Sequence, residues 1–263
     1  MIYKHLEIKI ITEVNIAKLI INRPPVNALN DELAHELTHV LRVLEKDDNV
    51  RVVVVCSGVK VFSAGADIAM MKELCETKNI NTMLDFDRKL QVANCLLEEM
   101  SKPTIAVING HALGGGFELA LWCDFRFISH NASVGLPEIK LGLLPGAGGI
   151  QKIVRMIGYS KALRLMLEGR HLSPIEAYEL GLVEQVCSEN DLLETVMAFA
   201  AELAKLPAKA VAEIKQCAVA AVNEDSLTSF KRDLDGLWAL FETEEAQKGL
   251  SVSSRGRSNE LKE

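Results

Sequence analysis

An α/β body followed by an all-helical tail is the fold class this sequence predicts, and three observations predict it. Short β-rich runs and helical stretches alternate over the first two-thirds of the chain. One run, Val52-Val53-Val54-Val55, is apolar at every position, as in a strand covered on both faces. After about residue 187 the strand signals stop while helical periodicity continues.

The elements follow in order. Residues 5–12 and 14–21 read as two strands almost from the first residue, with no basic segment, apolar run and cleavage site ahead of them. A helix is expected over 30–46, with Leu33, Leu37, Val40, Leu41 and Leu44 as its core stripe. Strand 51–57 comes next, then helices over 68–75 and 80–100, strand 104–108, helix 115–123 and strand 124–129. Such alternation argues for crossover units. The tail has helices over 189–205, 207–222 and 225–241. In the last, Leu227, Phe230, Leu234, Leu237, Trp238 and Phe241 form one apolar stripe, which suits packing on its own domain and a surface between subunits equally. The expected division is 1–187 for the body and 188–263 for the helical region.

Composition narrows the function classes. The 263 residues can bury a core without disulfide or metal support. With 29 Lys plus Arg against 36 Asp plus Glu, the net charge of −7 advertises no nucleic-acid surface. No window reaches the ~18 uninterrupted apolar residues of a membrane span. The six cysteines, at 56, 75, 95, 123, 187 and 217, contain no C-x-x-C pair and read as small hydrophobes of a reducing compartment. A cytoplasmic protein is expected.

Three Gly-rich segments are the places where chemistry could sit: FSAGAD at 62–67, GHALGGGFELAL at 110–121 and VGLPEIKLGLLPGAGG at 134–149. Small residues in strand-to-helix turns let backbone N–H groups approach a ligand. None of the segments fits G-x-G-x-x-G, the P-loop or G-x-S-x-G, so dinucleotide enzymes, P-loop NTPases and α/β-hydrolases lose support. A helix starting near Gly115 would present unpartnered N–H groups to an anionic oxygen, and Glu118, one turn on, would tilt back toward them. Glu138 follows Pro137 in an apolar loop, in a stiff turn. Two Glu flanked by apolar residues, each beside a Gly-rich turn, suggest a carboxylate pair for acid–base work.

One motif is a decoy. His35-Glu36-Leu37-Thr38-His39 is a literal H-E-x-x-H, yet His35 and His39 fall opposite the core stripe, and no other His stands at a spacing that nominates a third ligand. No metal is expected.

Together, NRPPVNAL (22–29), FSAGADI, NGHALGGGFELA, LPEIKLGLLPGAGG and AYELGLVEQV (177–186) resemble the enoyl-CoA hydratase/isomerase (crotonase) superfamily, in the right order over nearly the whole chain. The resemblance implies a spiral of ββα units and a C-terminal helical trimerisation region, assembled as a homotrimer or a dimer of trimers. It implies that the N–H groups of Ala66 and Gly115 form an oxyanion hole around a thioester carbonyl. Glu118 would act mainly as the base on a water, and Glu138 as the acid toward C2. Pro25, Val26 and the stretch holding Ala64, Asp67 and Ile68 would hold coenzyme A, which is part of the substrate, so no cofactor is expected. The backbone around Gly146 would orient the second Glu.

Hydratases of the superfamily keep both carboxylates, which points to hydration of a trans-2-enoyl-CoA to a 3-hydroxyacyl-CoA. An isomerase or a pathway-specific relative is the alternative, and an RNA-binding relative a remote one. Two departures concern the coenzyme A phosphates. Ala69 stands where many hydratases have Lys, and Arg255 or Arg257 would have to replace a basic C-terminal stretch.

Overall fold

The computed structural model describes residues 3–251. Strand β1 (Leu6–Ile11) turns back into β2 (Ile16–Ile21) and the chain enters α1 (Asp31–Glu45). Then come β3 (Val52–Ser57), α2 (Ile68–Glu76), α3 (Ile80–Glu99), β4 (Thr104–Ile108), β5 (Ala112–Leu113) and α4 (Gly115–Trp122). Next are β6 (Phe125–Ser129), β7 (Val134–Gly135), a 3-10 turn (Glu138–Leu141), α5 (Gly149–Ile157), α6 (Tyr159–Glu168), α7 (Pro174–Glu179) and β8 (Gln185–Cys187). Helices α8 (Leu192–Ala204), α9 (Ala208–Asn223) and α10 (Ser226–Phe241) complete the order.

Among the described residues, six strands form a sheet in the order β1-β2-β3-β4-β6-β8, antiparallel between β1 and β2 and parallel thereafter. The four consecutive valines of β3 have their explanation here. Val53 and Val55 belong to the core built with α1, α3 and α4, whereas Val52 and Val54 face a second core completed by Val196 and Ala200 of α8. A strand covered on both sides needs apolar residues at both parities. Each fully buried valine is worth roughly 1.5–3 kcal/mol.

A second, shorter ladder runs beside the sheet. Ala112 and Leu113 pair with Val134 and Gly135, and single bridges add Leu29 to Ala66, Ser63 to Ala112 and Val134 to Leu172. After β3, β4 and β6, therefore, the chain makes a short strand or bridge in the second ladder before its next helix. That repeat is the ββα spiral expected from the resemblance, and it gathers the turns at 63–67, 112–115 and 134–138.

The described residues fall into two compact units that divide between Ala204 and Lys205. The break was expected at 187/188; it lies later because α8 packs on β2, β3, β4 and β6 and so belongs to the sheet unit. In the second unit α9 and α10 pack together, with Gly236 lying against Glu213. The predicted stripe of α10 is exposed, from Leu227 (80%) to Trp238 (71%). Among the described residues no helix is long and apolar enough to cross a membrane. Among the described residues the six cysteines form no disulfide.

Candidate active site

The first wall of the site is the turn after β2. Asn27, fully buried at a positive φ, accepts from the Arg23 N–H (2.8 Å) and donates to the carbonyls of Ile21 (3.1 Å) and Phe62 (3.0 Å). It thereby ties residues 23–27 to the start of the FSAGAD segment. The Ala64 N–H donates to the Val26 carbonyl (3.0 Å), the Leu29 N–H to Gly65 (2.8 Å) and the Asp67 N–H to Leu29 (2.8 Å). In this parallel bridge residue 29 uses the groups on either side of Ala66, so the Ala66 N–H points away from it.

The second wall is the start of α4. Gly114, at φ 52, caps the helix and lets Gly115 begin it. As the first helical residue, Gly115 has an N–H without an intrahelical partner. Neither this N–H nor that of Ala66 donates a hydrogen bond among the described residues. The two are neighbours. A Cβ added to Gly65 would lie 3.4 Å from the Gly115 nitrogen, and one added to Gly115 would lie 3.8 Å from the Ala66 nitrogen and 3.9 Å from Glu118 Oε2. Both donors and a carboxylate oxygen thus border one small space, at the positive end of a helix dipole.

Glu118 is 2% exposed, and its Oε1 accepts from the Gly149 N–H at 2.7 Å. Burial, joined by the charges of Glu138 and Asp87 and opposed by the N–H groups of Gly149 and Ala147, pushes its pKa up to about 8. Glu138 opens the 3-10 turn. Its Oε1 packs against Gly114, where a Cβ would come within 2.7 Å, and its Oε2 is buried with no hydrogen-bond partner among the described residues. Burial raises its pKa as well. The structure therefore brings together Ala66, Gly115, Glu118 and Glu138.

Gly146 plays a different part from the expected one. The turn it opens holds Glu118, through Gly149, rather than Glu138. Its carbonyl accepts from Gln91 Nε2 (2.7 Å), and Asn94 Nδ2 donates to the Ala147 carbonyl (2.9 Å). Asp87, a third carboxylate that sequence reasoning missed, packs against Gly146. The signal for it lies in the spacing: Asp87, Gln91 and Asn94 recur at helical intervals beside the buried Phe86, Leu90, Ala93 and Leu97.

Pro25, Val26, Ala64, Ala66, Asp67, Ile68 and Ala69 line one cleft of about 630 Å³, with Lys4 and Arg23 as cations on its wall. Val26 (37%) and Ile68 (60%) expose apolar surface there. Asp67 caps α2, accepting from the Ala69 and Met70 N–H groups, and meets Arg23 at 2.7 Å. Burial pushes its pKa up, but Arg23 and the two N–H groups outweigh that and hold it below the usual range. Arg255 and Arg257 lie outside the described residues.

The H-E-x-x-H residues are otherwise engaged. Glu36 accepts from the backbone N–H groups of Lys4 (2.7 Å) and His5 (3.0 Å), His39 meets the Tyr3 hydroxyl at 2.7 Å, and His35 is exposed. Among the described residues no group of three or more His, Cys, Asp or Glu could hold a metal ion.

Comparison with known proteins gives the family. Residues 12–257 match the family model described as enoyl-CoA hydratase/isomerase. A Mycobacterium bovis protein named "Probable enoyl-CoA hydratase echA8" is 37% identical over 237 residues, 88% of each chain. A crotonyl-CoA hydratase of Syntrophomonas wolfei is 35% identical, covering 91% of this chain and 92% of its own. The crystal structure of an enoyl-CoA hydratase from Bacillus anthracis superposes with a TM-score of 0.87 at 31% identity, over 96% of this chain and 97% of that one. The chain belongs to the enoyl-CoA hydratase/isomerase family.

Proposed function

We propose that this protein is an enoyl-CoA hydratase, adding water across the C2=C3 bond of a trans-2-enoyl-CoA to give a 3-hydroxyacyl-CoA. The observation that carries the reading is a pair of carboxylates, the buried Glu118 and the half-buried Glu138, beside two unengaged N–H groups, those of Ala66 and Gly115. The thioester oxygen takes the two N–H groups, which stabilise the enolate as charge develops on it. Water bonds to C3 through its oxygen, one of its protons goes to the ionised carboxylate, and the proton held by the other Glu goes to C2. The pair ends with the one proton it began with.

Deeper burial puts that proton on Glu118 in the substrate-free protein, whereas the family resemblance makes Glu118 the base. We therefore treat the two as one acid–base unit with shared macroscopic titrations. The cleft lined by Pro25, Val26, Ala64, Asp67 and Ile68 takes the coenzyme A handle, whose binding energy positions the acyl end. The subunits form a homotrimer or a dimer of trimers, in keeping with the exposed apolar stripe of α10.

Product identification tests the reading. Crotonyl-CoA should yield 3-hydroxybutyryl-CoA faster than a 3-enoyl-CoA is isomerised. Isomerisation without hydration would transfer the protein to the isomerase branch of the family.

A further inference from the structure

We infer, on the footing of that acid–base reading, that Asp87 is a third acidic group of the site: a positioning residue that does not touch substrate and whose negative charge sets how firmly Glu118, and through it the acid–base pair, keeps its proton. A Cβ on Gly146 would stand 3.0 Å from Asp87 Oδ2 and 3.1 Å from Oδ1, so the carboxylate packs directly on that glycine. At the other end of the same four-residue turn, the Gly149 N–H holds Glu118 Oε1 at 2.7 Å. Two carboxylates flank one short turn.

Asp87 stands apart from its neighbours on α3. Asp85 pairs with Lys89 (2.8 Å), while Gln91 and Asn94 donate to the carbonyls of Gly146 and Ala147. The half-buried Asp87 makes no hydrogen bond or ion pair among the described residues.

The cations around it are committed elsewhere. Lys89 is held by Asp31 of α1 and by Asp85, Lys152 of α5 by Glu98, and Lys72 of α2 by Glu76, while Arg88 is exposed. From α4, which packs on α3, comes Glu118. Among the described residues no cation in ion-pair contact offsets the charge of Asp87, and partial burial shields it from salt.

A like charge nearby disfavours ionisation of a buried carboxyl. Asp87 is one of the charges that raise Glu118. Burial also raises Asp87 itself, so the effect is present only where Asp87 is ionised and fades in acid.

The test compares wild type, Asp87→Asn and, as control, Asp85→Asn, whose carboxylate lies on the same helix but pairs with Lys89. In the substrate-free protein, carboxyl titration is followed by infrared difference spectroscopy with isotope-labelled Glu. In parallel, the pH dependence of crotonyl-CoA hydration is measured.

Asp87→Asn should move the titration midpoint of the pair to lower pH by roughly half a pH unit. The pH limb of kcat should follow, with KM changed less than about twofold, and Asp85→Asn should move neither. An unchanged midpoint in Asp87→Asn, or equal movement in both variants, overturns the inference. Should wild type not hydrate enoyl thioesters, the hydratase reading fails while the infrared titration still decides the role of Asp87. Asp87→Ser serves if the Asn variant does not fold.

Discussion

Glu118 puts function and stability in opposition. A carboxyl at 2% exposure keeps its proton in the folded chain up to about pH 8 and loses it near the ordinary carboxylate value when unfolded. Across that interval the native state binds more protons than the unfolded state, so this contribution to stability is complete at low pH and disappears as pH rises through about 8. Gln carries no such penalty. The melting temperature of Glu118→Gln should therefore gain on wild type between about pH 5 and pH 9, at roughly 2–4 °C per kcal/mol recovered. Parallel melting curves for the two proteins across that range would contradict the buried, proton-holding Glu118 described here. Gly149 belongs to the same design, since a Cβ there would lie 2.7 Å from Glu118 Cγ.

At the scale of elements, Asp67 performs two tasks that substitutions can separate. As the cap of α2 it satisfies two backbone N–H groups, and as a charge it pins Arg23 beside the cleft. Asp67→Ala loses both, at a cost of about 1 kcal/mol for the cap alone, whereas Asn retains the cap. Thermal melting should rank Ala below Asn, and both variants should raise KM for an acyl-CoA. Equal melting temperatures for the two would remove the capping argument.

The elements readable from sequence are those whose periodicity is intact. β3 showed as four valines because two cores need them, α1 as a leucine stripe, and α4 as a Gly-rich turn leading into apolar residues. The helices α5 and α6 escaped. They are short, at 9 and 10 residues, and each follows a glycine that offers no capping side chain. The site divides in the same way. Glu118 and Glu138 stood out because charge is rare among apolar neighbours, and the two N–H donors followed from the Gly-rich turns and the family resemblance. Asp87 did not stand out, because an Asp on a long, partly exposed helix reads as a solvated charge until the turn at Gly146 is folded against it.

At the scale of the whole molecule, α10 presents an apolar face that the described residues leave uncovered. Leu227, Phe230, Leu234, Leu237, Trp238 and Phe241 each expose more than half of their surface. Subunit association would remove that surface from water at roughly 25 cal/mol per Å². Sedimentation velocity should give a trimer or a hexamer for wild type, and smaller species for Phe230→Asp combined with Trp238→Asp. A wild-type monomer at micromolar concentration would rule out this assembly.

If two carboxylates and two backbone donors hydrate an enoyl thioester, the rate of crotonyl-CoA hydration must depend on both Glu, as measured in wild type, Glu118→Gln and Glu138→Gln. Wild type should form 3-hydroxybutyryl-CoA, and each variant should lose roughly 10²–10⁴-fold in kcat with its circular dichroism unchanged. Near wild-type rates in both variants would exclude the carboxylate pair as the acid–base machinery.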